Sequence, residues 1–319
     1  MPGQVYNRMA VVGFGLIGSS LARIAREKGV VGEIIAVDAS EAHRARIIDL
    51  GLADRVTGDI AEGVAGCDLV VFATPVLAIG EAMAAAAPAL SPGATVTDVG
   101  SVKGSVAEAM AVTAPGNVFV IPGHPIAGTE HSGPDAGFAE LFDGRWVILT
   151  PDAAREDAAY AEAVAKLSTF WRACGAQVEL MDVQHHDLVL AITSHLPHLI
   201  AYNIVGTASD LEGVTEGEVM KYSAGGFRDF TRIAASDPTM WRDIFVANKD
   251  AVLEVLGRFT EDLQALSRAI RWGEADKLQD LFTRTRAIRR GIIAQGQETA
   301  APDFGRTPAP LPPVKAGPA

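Results

Sequence analysis

The chain is poor in cysteine: Cys67 and Cys174 are the only two among its 319 residues. Two cysteines are too few for a disulfide framework or a thiolate metal cluster, and such sparing use is typical of a reducing compartment. The amino terminus also lacks the pattern of a signal peptide, because its first apolar run, Met9–Val12, is predicted to be a strand. We therefore expect a cytoplasmic protein.

Positive charge is scarce as well. The 27 Lys and Arg residues are outnumbered by 39 Asp and Glu residues, which gives a formal net charge of -12. Such a field repels phosphate, so we expect neither nucleic acid nor an anionic membrane surface as the main partner. We also expect no membrane span, for want of a charge-free apolar stretch of about 18 residues. An anionic substrate would need a locally basic pocket.

The apolar residues of the first half form short runs. Seven runs are predicted to be strands: Met9–Val12, Glu33–Val37, Leu69–Phe72, Thr95–Asp98, Val118–Ile121, Trp146–Leu149 and Val178–Met181. Between the first five lie segments of helical period, such as Ser19–Lys28, Glu41–Leu50 and Ile79–Ala89. This alternation predicts an α/β fold of βαβ units around a mostly parallel sheet, with the last two strands as a mixed extension of it.

A glycine motif, Gly13-Phe14-Gly15-Leu16-Ile17-Gly18, follows the first strand and opens a helix. In a dinucleotide-binding loop Gly13 permits the tight turn, Gly15 lets the backbone approach the pyrophosphate, and Gly18 lets helix and strand pack closely. The amides at the helix start then bind the phosphates. Asp38 ends the next strand and is placed to accept the ribose hydroxyls of NAD while repelling the extra phosphate of NADP. A glycine turn without a nucleotide is the alternative.

Three further strand ends should open on the same crevice, because ligands of open α/β sheets bind outside the carboxyl ends of strands. They are Ala73-Thr74-Pro75, Asp98-Val99-Gly100-Ser101 and Gly123-His124-Pro125. For Thr74 a helix-cap role and a role in binding are equally compatible with the sequence. For Ser101, which follows a glycine at a strand end, we favour a functional role over a cap. We therefore assign Thr74, Pro75 and Ser101 to the cofactor site with the glycine motif and Asp38. Arg44 and Arg46 are expected on a solvated helix face.

No strand is predicted after Gln184. Asp187–Ser209 is apolar almost all round, which predicts a buried helix. Ser236-Asp237-Pro238 places a cap residue before a proline, which predicts one helix over 238–271, about 50 Å long. Its apolar stripe needs a packing partner along its length, and dimerisation is the simplest way to supply one.

The change of pattern near Gln184 divides the chain. We predict a dinucleotide-binding domain over 1–184, an all-α substrate and dimerisation domain over 185–297, and a disordered tail over 298–319, which is rich in proline, alanine and glycine.

His124 is the histidine that best fits a catalytic role. It ends a strand at the cofactor crevice, where a neutral imidazole can take a proton from a hydroxyl while hydride leaves the same carbon. His131 lies further along the same loop and is a weaker candidate. His43, His185 and His186 are expected at the surface.

His195 and His198 are three residues apart on the predicted buried helix and therefore share a face, with Ser194 beside them. Pro197 cannot donate to the carbonyl of Thr193, which predicts a locally opened helix. The polar residues are expected to face a cavity or a partner. A two-histidine metal site is the alternative, but no carboxylate stands at a convincing ligand spacing, so we expect no metal.

The segment Gly225–Arg232 combines two glycines with two arginines just before the predicted long helix. The arginine fork can hold a carboxylate by two hydrogen bonds. We assign Arg228 to a salt bridge, with Asp229 as the candidate partner, and Arg232 to an anionic substrate.

Together these motifs resemble the TyrA family, the prephenate, arogenate and cyclohexadienyl dehydrogenases of tyrosine biosynthesis. The resemblance runs from about Met9 to Gly296. It rests on the glycine motif and on four further segments: Asp98-Val99-Gly100-Ser101-Val102-Lys103, His124-Pro125-Ile126-Ala127-Gly128-Thr129-Glu130, Ser194-His195-Leu196-Pro197-His198 and Asp229-Phe230-Thr231-Arg232.

The resemblance implies an NAD-dependent oxidative decarboxylation in a homodimer that joins through its helical domain. His124 would be the base and Ser101 its hydrogen-bond partner. The residues implied to bind the dicarboxylate substrate are Ser194, His195, His198 and Arg232, with Thr129 and Glu130 gating the pocket. We expect no chorismate mutase segment before residue 9 and no regulatory domain after Gly296.

Two alternatives stay open beside this family. A β-hydroxyacid dehydrogenase would need a catalytic lysine, from Lys221 or Lys249, and neither stands in a matching motif. A non-catalytic NAD-sensing dimer would have no need of His124 or Arg232. Within the family the sequence does not separate prephenate from arogenate, and an enzyme that accepts both is realistic.

Overall fold

The alternating strand and helix periods of the first half fold into a six-stranded parallel sheet. In the computed structural model, which describes residues 3–129, 131–212 and 225–294, its order is β3-β2-β1-β4-β5-β6. The strands are β1 Tyr6–Val12, β2 Val31–Val37, β3 Arg55–Thr57, β4 Leu69–Phe72, β5 Thr95–Asp98 and β6 Phe119–Val120. This doubly wound order confirms the predicted fold class and places a topological switch point between β1 and β4.

Helices cover both faces of this sheet. They are α1 Leu16–Lys28, α2 Glu41–Asp49, α3 Ile60–Val64, α4 Ile79–Ala86 and α5 Gly104–Thr113. Successive residues of β1 point to opposite faces, so Met9 and Val11 join one apolar core while Ala10 and Val12 join the other. Burial on both faces explains why the strands are continuous apolar runs rather than alternating ones.

A second sheet of three strands corrects the predicted mixed extension. It has the order β7-β8-β9, with β7 Gly123–Pro125 antiparallel to β8 Trp146–Leu149 and parallel pairing between β8 and β9 Gln177–Leu180. Helix α6, Ala158–Ala173, connects β8 to β9. The chain leaves the first sheet at Pro122, which lacks the amide hydrogen that would continue the ladder.

A buried ion pair joins the two sheets. Asp98 ends β5, and its carboxylate pairs with Lys103, both side chains being fully buried. The same carboxylate accepts from the amide of Gly123 at 3.1 Å, and Lys103 Nζ donates to the carbonyl of Gly123 at 2.7 Å. The strand that begins at Gly123 and carries His124 is thereby fixed against the end of β5.

The second half is helical, and no strand occurs among its described residues. Its elements are α7 Val183–Leu190, a π-helical turn Ala191–His195, α8 Leu196–Glu212, α9 Gly225–Thr231, a 3-10 turn Arg232–Ala235, α10 Pro238–Ala247, α11 Lys249–Arg271 and α12 Ala275–Ala294. The π-helical turn ends at His195, two residues before Pro197, where the sequence predicts an opened helix. By packing, the chain divides into Met1–Leu256 and Gly257–Ala319. The predicted disordered tail over 298–319 lies outside the described residues.

The predicted single helix over 238–271 is wrong, because it is interrupted at Asn248. Its amino end is as predicted: Asp237 accepts from the amide of Met240 at 2.9 Å and Pro238 occupies the first turn. Asn248 leaves helical geometry, with φ -107 and ψ 30. Its side chain is buried, so the interruption coincides with an inward-facing amide.

The helical stretch Val183–Leu211 is less buried and more uniformly apolar than expected. Residues 188–209 contain no Asp, Glu, Lys or Arg, so the expected absence of a long charge-free run is wrong. With a mean hydropathy of 1.5, the stretch is long and apolar enough to cross a membrane by length and composition alone, a test that core helices of soluble proteins also pass. Only 28% of its most apolar 18-residue window is buried, and side chains such as Ile192 and Leu211 are exposed.

The described residues of the second unit, 257–294, comprise the end of α11 and all of α12. Large apolar side chains are exposed on both helices: Leu263, Ile270, Phe282, Ile288 and Ile292, with Trp272 in the turn between them. Isolated helices of this kind gain most of their stability from packing an apolar face. This unit therefore carries an apolar surface suited to a partner.

We predict that Lys103→Met destabilises the fold by about 3–5 kcal/mol, because it leaves the Asp98 carboxylate buried without its counter-charge. Chemical denaturation measures the loss in the free energy of unfolding. The double variant Asp98→Leu/Lys103→Met removes both charges and should be more stable than Lys103→Met alone. A double variant that is less stable than the single one would contradict this account.

Candidate active site

The glycine motif has the geometry that the sequence predicts. Gly13 has φ +94, and a Cβ there would lie 2.6 Å from the carbonyl oxygen of Ala73, across the switch point. A Cβ on Gly18 would lie 2.2 Å from the carbonyl oxygen of Gly13. A Cβ on Gly15, by contrast, would meet nothing within 4 Å. Gly13 and Gly18 are thus required by the fold, while Gly15 leaves open space for a ligand.

The start of α1 offers unpaired amides to that space. Gly15 precedes the helix and no side chain caps it, so the first helical amides, including those of Leu16 and Ile17, have no partner within the helix. The Thr74 hydroxyl, beyond β4, is buried without a hydrogen-bond partner in the described chain. Pro75 precedes a 3-10 turn that has no side-chain cap, so Thr74 is not a cap. Open amides and an unpaired hydroxyl fit a dinucleotide pyrophosphate.

Asp38 lies at the carboxyl end of β2, as predicted. Its carboxylate accepts from the amides of Phe14 and Ser40, each at 2.9 Å, and so ties the glycine motif to the next loop. His43 lies beside it, with Nδ1 3.4 Å from Asp38 Oδ2, rather than only in solvent as expected. The carboxylate is held beside the start of α1, where a ribose hydroxyl would meet it.

The two arginines expected on a solvated helix face differ from each other. Arg44 is half-buried and donates to the carbonyls of Asp38 and Ala39 at 2.8 and 2.9 Å, so the expectation is wrong for it. Arg46 is exposed and forms a two-pronged ion pair with Asp135. Arg44 therefore stiffens the loop that carries Asp38.

His124 is buried on β7 and belongs to a chain of polar groups. Its Nδ1 lies 2.9 Å from Nε2 of His186, and Nδ1 of His186 lies 2.8 Å from the Asp187 carboxylate. That carboxylate also accepts from the amides of Lys103 and Gly104, each at 2.8 Å, at the start of α5. The expectation that His186 lies at the surface is wrong, since its side chain is fully buried, whereas His185 is exposed as expected.

Burial keeps both rings of this chain neutral. It lowers the pKa of His124 well below 6.5, and the nearby His186, Lys103 and His195 lower it further. Burial also lowers the pKa of His186, although the hydrogen bond with Asp187 acts in the opposite direction. For Asp187, burial raises the pKa, but hydrogen bonds from His186 and the two amides bring it below its usual value overall. At neutral pH these three hydrogen-bonded groups are therefore two neutral imidazoles, His124 and His186, and one carboxylate, Asp187.

His195 and His198 occupy neighbouring positions of one helix and differ in their surroundings. His195 is fully buried; its Nδ1 lies 3.1 Å from the Asn248 amide nitrogen, and its Nε2 has no partner in the described chain. Burial lowers its pKa to about 4. His198 stacks on Trp241, with the ring centroids 3.6 Å apart, and its Nδ1 lies 2.8 Å from the Ser194 carbonyl oxygen.

Arg232 brings positive charge to this group. Burial lowers the pKa of His198, and the Arg232 charge contributes to the same direction. The Arg232 side chain is exposed on the 3-10 turn before α10. Arg228 is exposed and pairs with Asp229 at 3.4 Å, the partner that the sequence suggests. Arg228 thus has the predicted salt-bridge partner, while Arg232 lies close enough to His198 to lower its pKa.

Other predicted site residues are less informative. Ser101 is half-buried after β5, and no hydrogen bond joins it to His124 in the described residues. The Thr129 hydroxyl accepts from the amide of His131 at 3.2 Å within an exposed loop. Glu130 and Lys221 lie outside the described residues, and Lys249 is exposed. Across 3–129, 131–212 and 225–294, no three His, Cys, Asp or Glu side chains form a group able to hold a metal.

Sequence reasoning missed several residues of this site: Lys103, His186, Asp187, Trp241 and Asn248. One signal was available, because His186-Asp187 places a carboxylate beside a histidine at the start of an otherwise apolar helix. A charged residue there is costly to bury unless it is paired. Trp241 and Asn248 gave no such signal, since the former fits the apolar stripe and the latter interrupts it.

The fold and the crevice together define a nicotinamide-dependent dehydrogenase of the doubly wound class, with a buried histidine, His124, on β7. Comparison with known proteins identifies the family. Two family models match the chain: the nucleotide-binding domain of prephenate dehydrogenase over residues 21–180 and its dimerization domain over residues 182–284. The chain belongs to the prephenate dehydrogenase family, and its cofactor is NAD.

Similar proteins cover nearly the whole chain. The cyclohexadienyl dehydrogenase of Zymomonas mobilis subsp. mobilis is 44% identical over 288 residues, which are 90% of this chain and 97% of that one. The prephenate dehydrogenase of Bacillus subtilis is 31% identical over 94% of this chain and 80% of its own. Among solved structures, the Aquifex aeolicus prephenate dehydrogenase in complex with hydroxyphenyl propionate and NAD+ is 34% identical, with a TM-score of 0.83 over 90% of this chain and 98% of its own.

We predict that Asp38→Ala lowers the preference for NAD over NADP, because it removes the charge that repels the 2′-phosphate. The ratio of kcat/KM values for the two cofactors measures this preference. Asp49→Ala is the matched control, since it removes an exposed carboxylate from the end of the following helix. An Asp38→Ala ratio equal to that of Asp49→Ala would remove Asp38 from ribose recognition.

Proposed function

We propose that the chain catalyses the NAD-dependent oxidative decarboxylation of prephenate to 4-hydroxyphenylpyruvate, of arogenate to tyrosine, or of both. The observation that carries this proposal is the buried, neutral His124, held at 2.9 Å by His186 beside the cofactor crevice. Family membership supplies the reaction class. The reaction belongs to tyrosine biosynthesis.

The chemistry follows from removing a hydride from the ring carbon that carries the hydroxyl group and a proton from that hydroxyl group. NAD, when bound, accepts the hydride from the ring carbon that carries the hydroxyl group. His124 takes the hydroxyl proton as general base. The bond between the ring and its carboxylate then breaks, carbon dioxide leaves, and the electron pair makes the ring aromatic. His124 returns its proton to the ring oxygen, so the base is regenerated without net proton release.

The remaining polar residues bind and orient the substrate in this proposal. Ser101 lies at the end of β5 and directs its hydroxyl to the reacting region. Arg232 holds a substrate carboxylate by its two-pronged geometry, which an acidic protein needs as a local source of positive charge. Ser194, His195 and His198 contact the other polar groups. Thr129 and Glu130 gate the pocket.

We also infer a homodimer that joins through the helical half, with the boundary between the two domains near residue 184. Support comes from the match to a dimerization domain over residues 182–284 and from exposed apolar side chains on the helices after Val183. A cytoplasmic location is supported by two cysteines that are both buried and unpaired.

The β-hydroxyacid dehydrogenase and the NAD-sensing dimer are less favoured. The first would place a lysine at the reacting centre, and Lys249 is exposed. The second has no use for a buried base beside the crevice.

We expect NAD reduction with prephenate, arogenate or both, and we expect His124→Asn to lower turnover by about 10²–10⁴-fold with NAD binding nearly intact. Steady-state kinetics with each substrate and cofactor follow the reduced nicotinamide, and fluorescence titration gives NAD affinity. His131→Asn changes an exposed histidine on the loop that follows β7, and this control should keep full turnover. Absence of turnover with both substrates would overturn the proposed reaction. Full turnover by His124→Asn would overturn the assigned base.

Arg232→Ala is expected to raise the KM for the dicarboxylate substrate while changing kcat less, because uniform binding of a carboxylate lowers KM. Arg228→Ala removes an exposed arginine of the preceding helix, α9, and serves as the control. Steady-state kinetics at saturating NAD measure both. Equal KM values for the two variants would exclude Arg232 from the substrate site.

A further inference from the structure

Asp187 is linked by hydrogen bonds to both His124 and His195, through two different chemical groups. Its carboxylate is hydrogen-bonded to His186, which in turn is hydrogen-bonded to His124. Its main-chain carbonyl accepts from the side-chain amide of Asn248, which is also within hydrogen-bonding distance of His195. We propose that Asp187 fixes opposite tautomers in the two rings: His124 keeps a free lone pair on Nε2 as a proton acceptor, and His195 keeps a hydrogen on Nε2 as a donor. This proposal rests on the proposed function for its catalytic meaning.

The tautomer of His124 follows from an acceptor at the end of the chain. A carboxylate only accepts hydrogen bonds, so the His186 Nδ1 that lies 2.8 Å from Asp187 carries a hydrogen. In a neutral ring the other nitrogen is then a lone pair, so His186 Nε2 accepts. The Nδ1 of His124, 2.9 Å away, must donate to it. His124 Nε2 is left as a lone pair, free to take a proton.

The Asp187 carboxylate is itself fixed in place. It accepts from the amides of Lys103 and Gly104, at the start of α5, as well as from His186. These charge-assisted hydrogen bonds keep it ionised and oriented. A carboxylate behind a histidine also stabilises the imidazolium that forms when the base takes its proton.

The tautomer of His195 follows from the main-chain carbonyl of Asp187 rather than from its carboxylate. The Asn248 amide nitrogen lies 3.0 Å from the main-chain oxygen of Asp187, which only accepts, so the nitrogen and not the oxygen of the amide faces this corner. The same nitrogen lies 3.1 Å from Nδ1 of His195. Nδ1 therefore accepts, and the neutral ring carries its hydrogen on Nε2.

His195 Nε2 is buried and has no partner in the described chain. Leaving such a donor unpaired is unfavourable, and a bound acceptor would remove that cost. An anionic or carbonyl oxygen of the substrate is the matching group. The site thus presents one acceptor for the hydroxyl proton and one neutral donor for a substrate oxygen. The amide that decides the His195 tautomer belongs to Asn248, where the helix is interrupted.

The test is direct detection of the two tautomers by nitrogen-15 NMR of full-length protein labelled at histidine, without substrate. His124→Asn and His195→Asn assign the ring signals. We expect a hydrogen on Nδ1 of His124 and on Nε2 of His195, and Asn248→Leu should abolish the preference in His195 alone. The opposite tautomer in either ring of the unsubstituted protein would overturn the proposal. Because no turnover is involved, this result is independent of whether the proposed reaction is correct.

Kinetics separate positioning from a merely structural role. His186→Phe should lower kcat by about 10- to 100-fold, less than the roughly 10²–10⁴-fold that a positioned base supplies, with the KM for NAD unchanged. His186→Gln should recover most of the loss, because its amide can accept from His124 and donate to Asp187. His185→Phe, at the exposed neighbour, is the control and should keep full turnover. Full turnover by His186→Phe, or a His186→Gln as slow as His186→Phe, would overturn the assignment.

Discussion

The site depends most on the contact between the Asp187 carboxylate and the start of α5. The Asp187 carboxylate accepts hydrogen bonds from the amides of Lys103 and Gly104, which belong to the nucleotide-binding half. Asp187 itself lies on α7, the first helix of the helical half. Docking between the halves is therefore specified by hydrogen bonds as well as by apolar packing. Burying a carboxylate is costly unless its oxygens are satisfied, and here three donors satisfy them. The same contact places His186 behind His124.

The sequence predicts the parts of this protein that local demands determine. The glycine motif was predictable because a tight turn, a close helix–strand approach and an open cradle each require glycine within six residues. The doubly wound sheet was predictable because strands buried on both faces are continuous apolar runs. His124 stood out because it follows a strand and precedes a proline, a context that depends only on the neighbouring residues.

Features that depend on distant partners were not predictable in this way. Strand β7 consists of Gly123-His124-Pro125, which has no strand pattern, and it exists because β8 pairs with it. His186 was expected at the surface because two histidines at a helix start are polar, and only docking against α5 buries His186 while His185 stays exposed. Asn248 interrupts a helix whose apolar period continues on both sides. The structural reason for its inward amide lies in Asp187 and His195, far away in sequence.

Burial places two opposing demands on His124. It keeps the imidazole neutral, which a base must be, but it also lowers the pKa well below 6.5 and so makes the base weak. A weak base suffices in the proposed reaction, because loss of hydride leaves an electron-poor carbon whose hydroxyl is strongly acidic. The carboxylate behind His186 offsets part of the cost of forming a buried imidazolium. Aromatisation and loss of carbon dioxide then supply the driving force, so the protein needs only to direct one proton and exclude water.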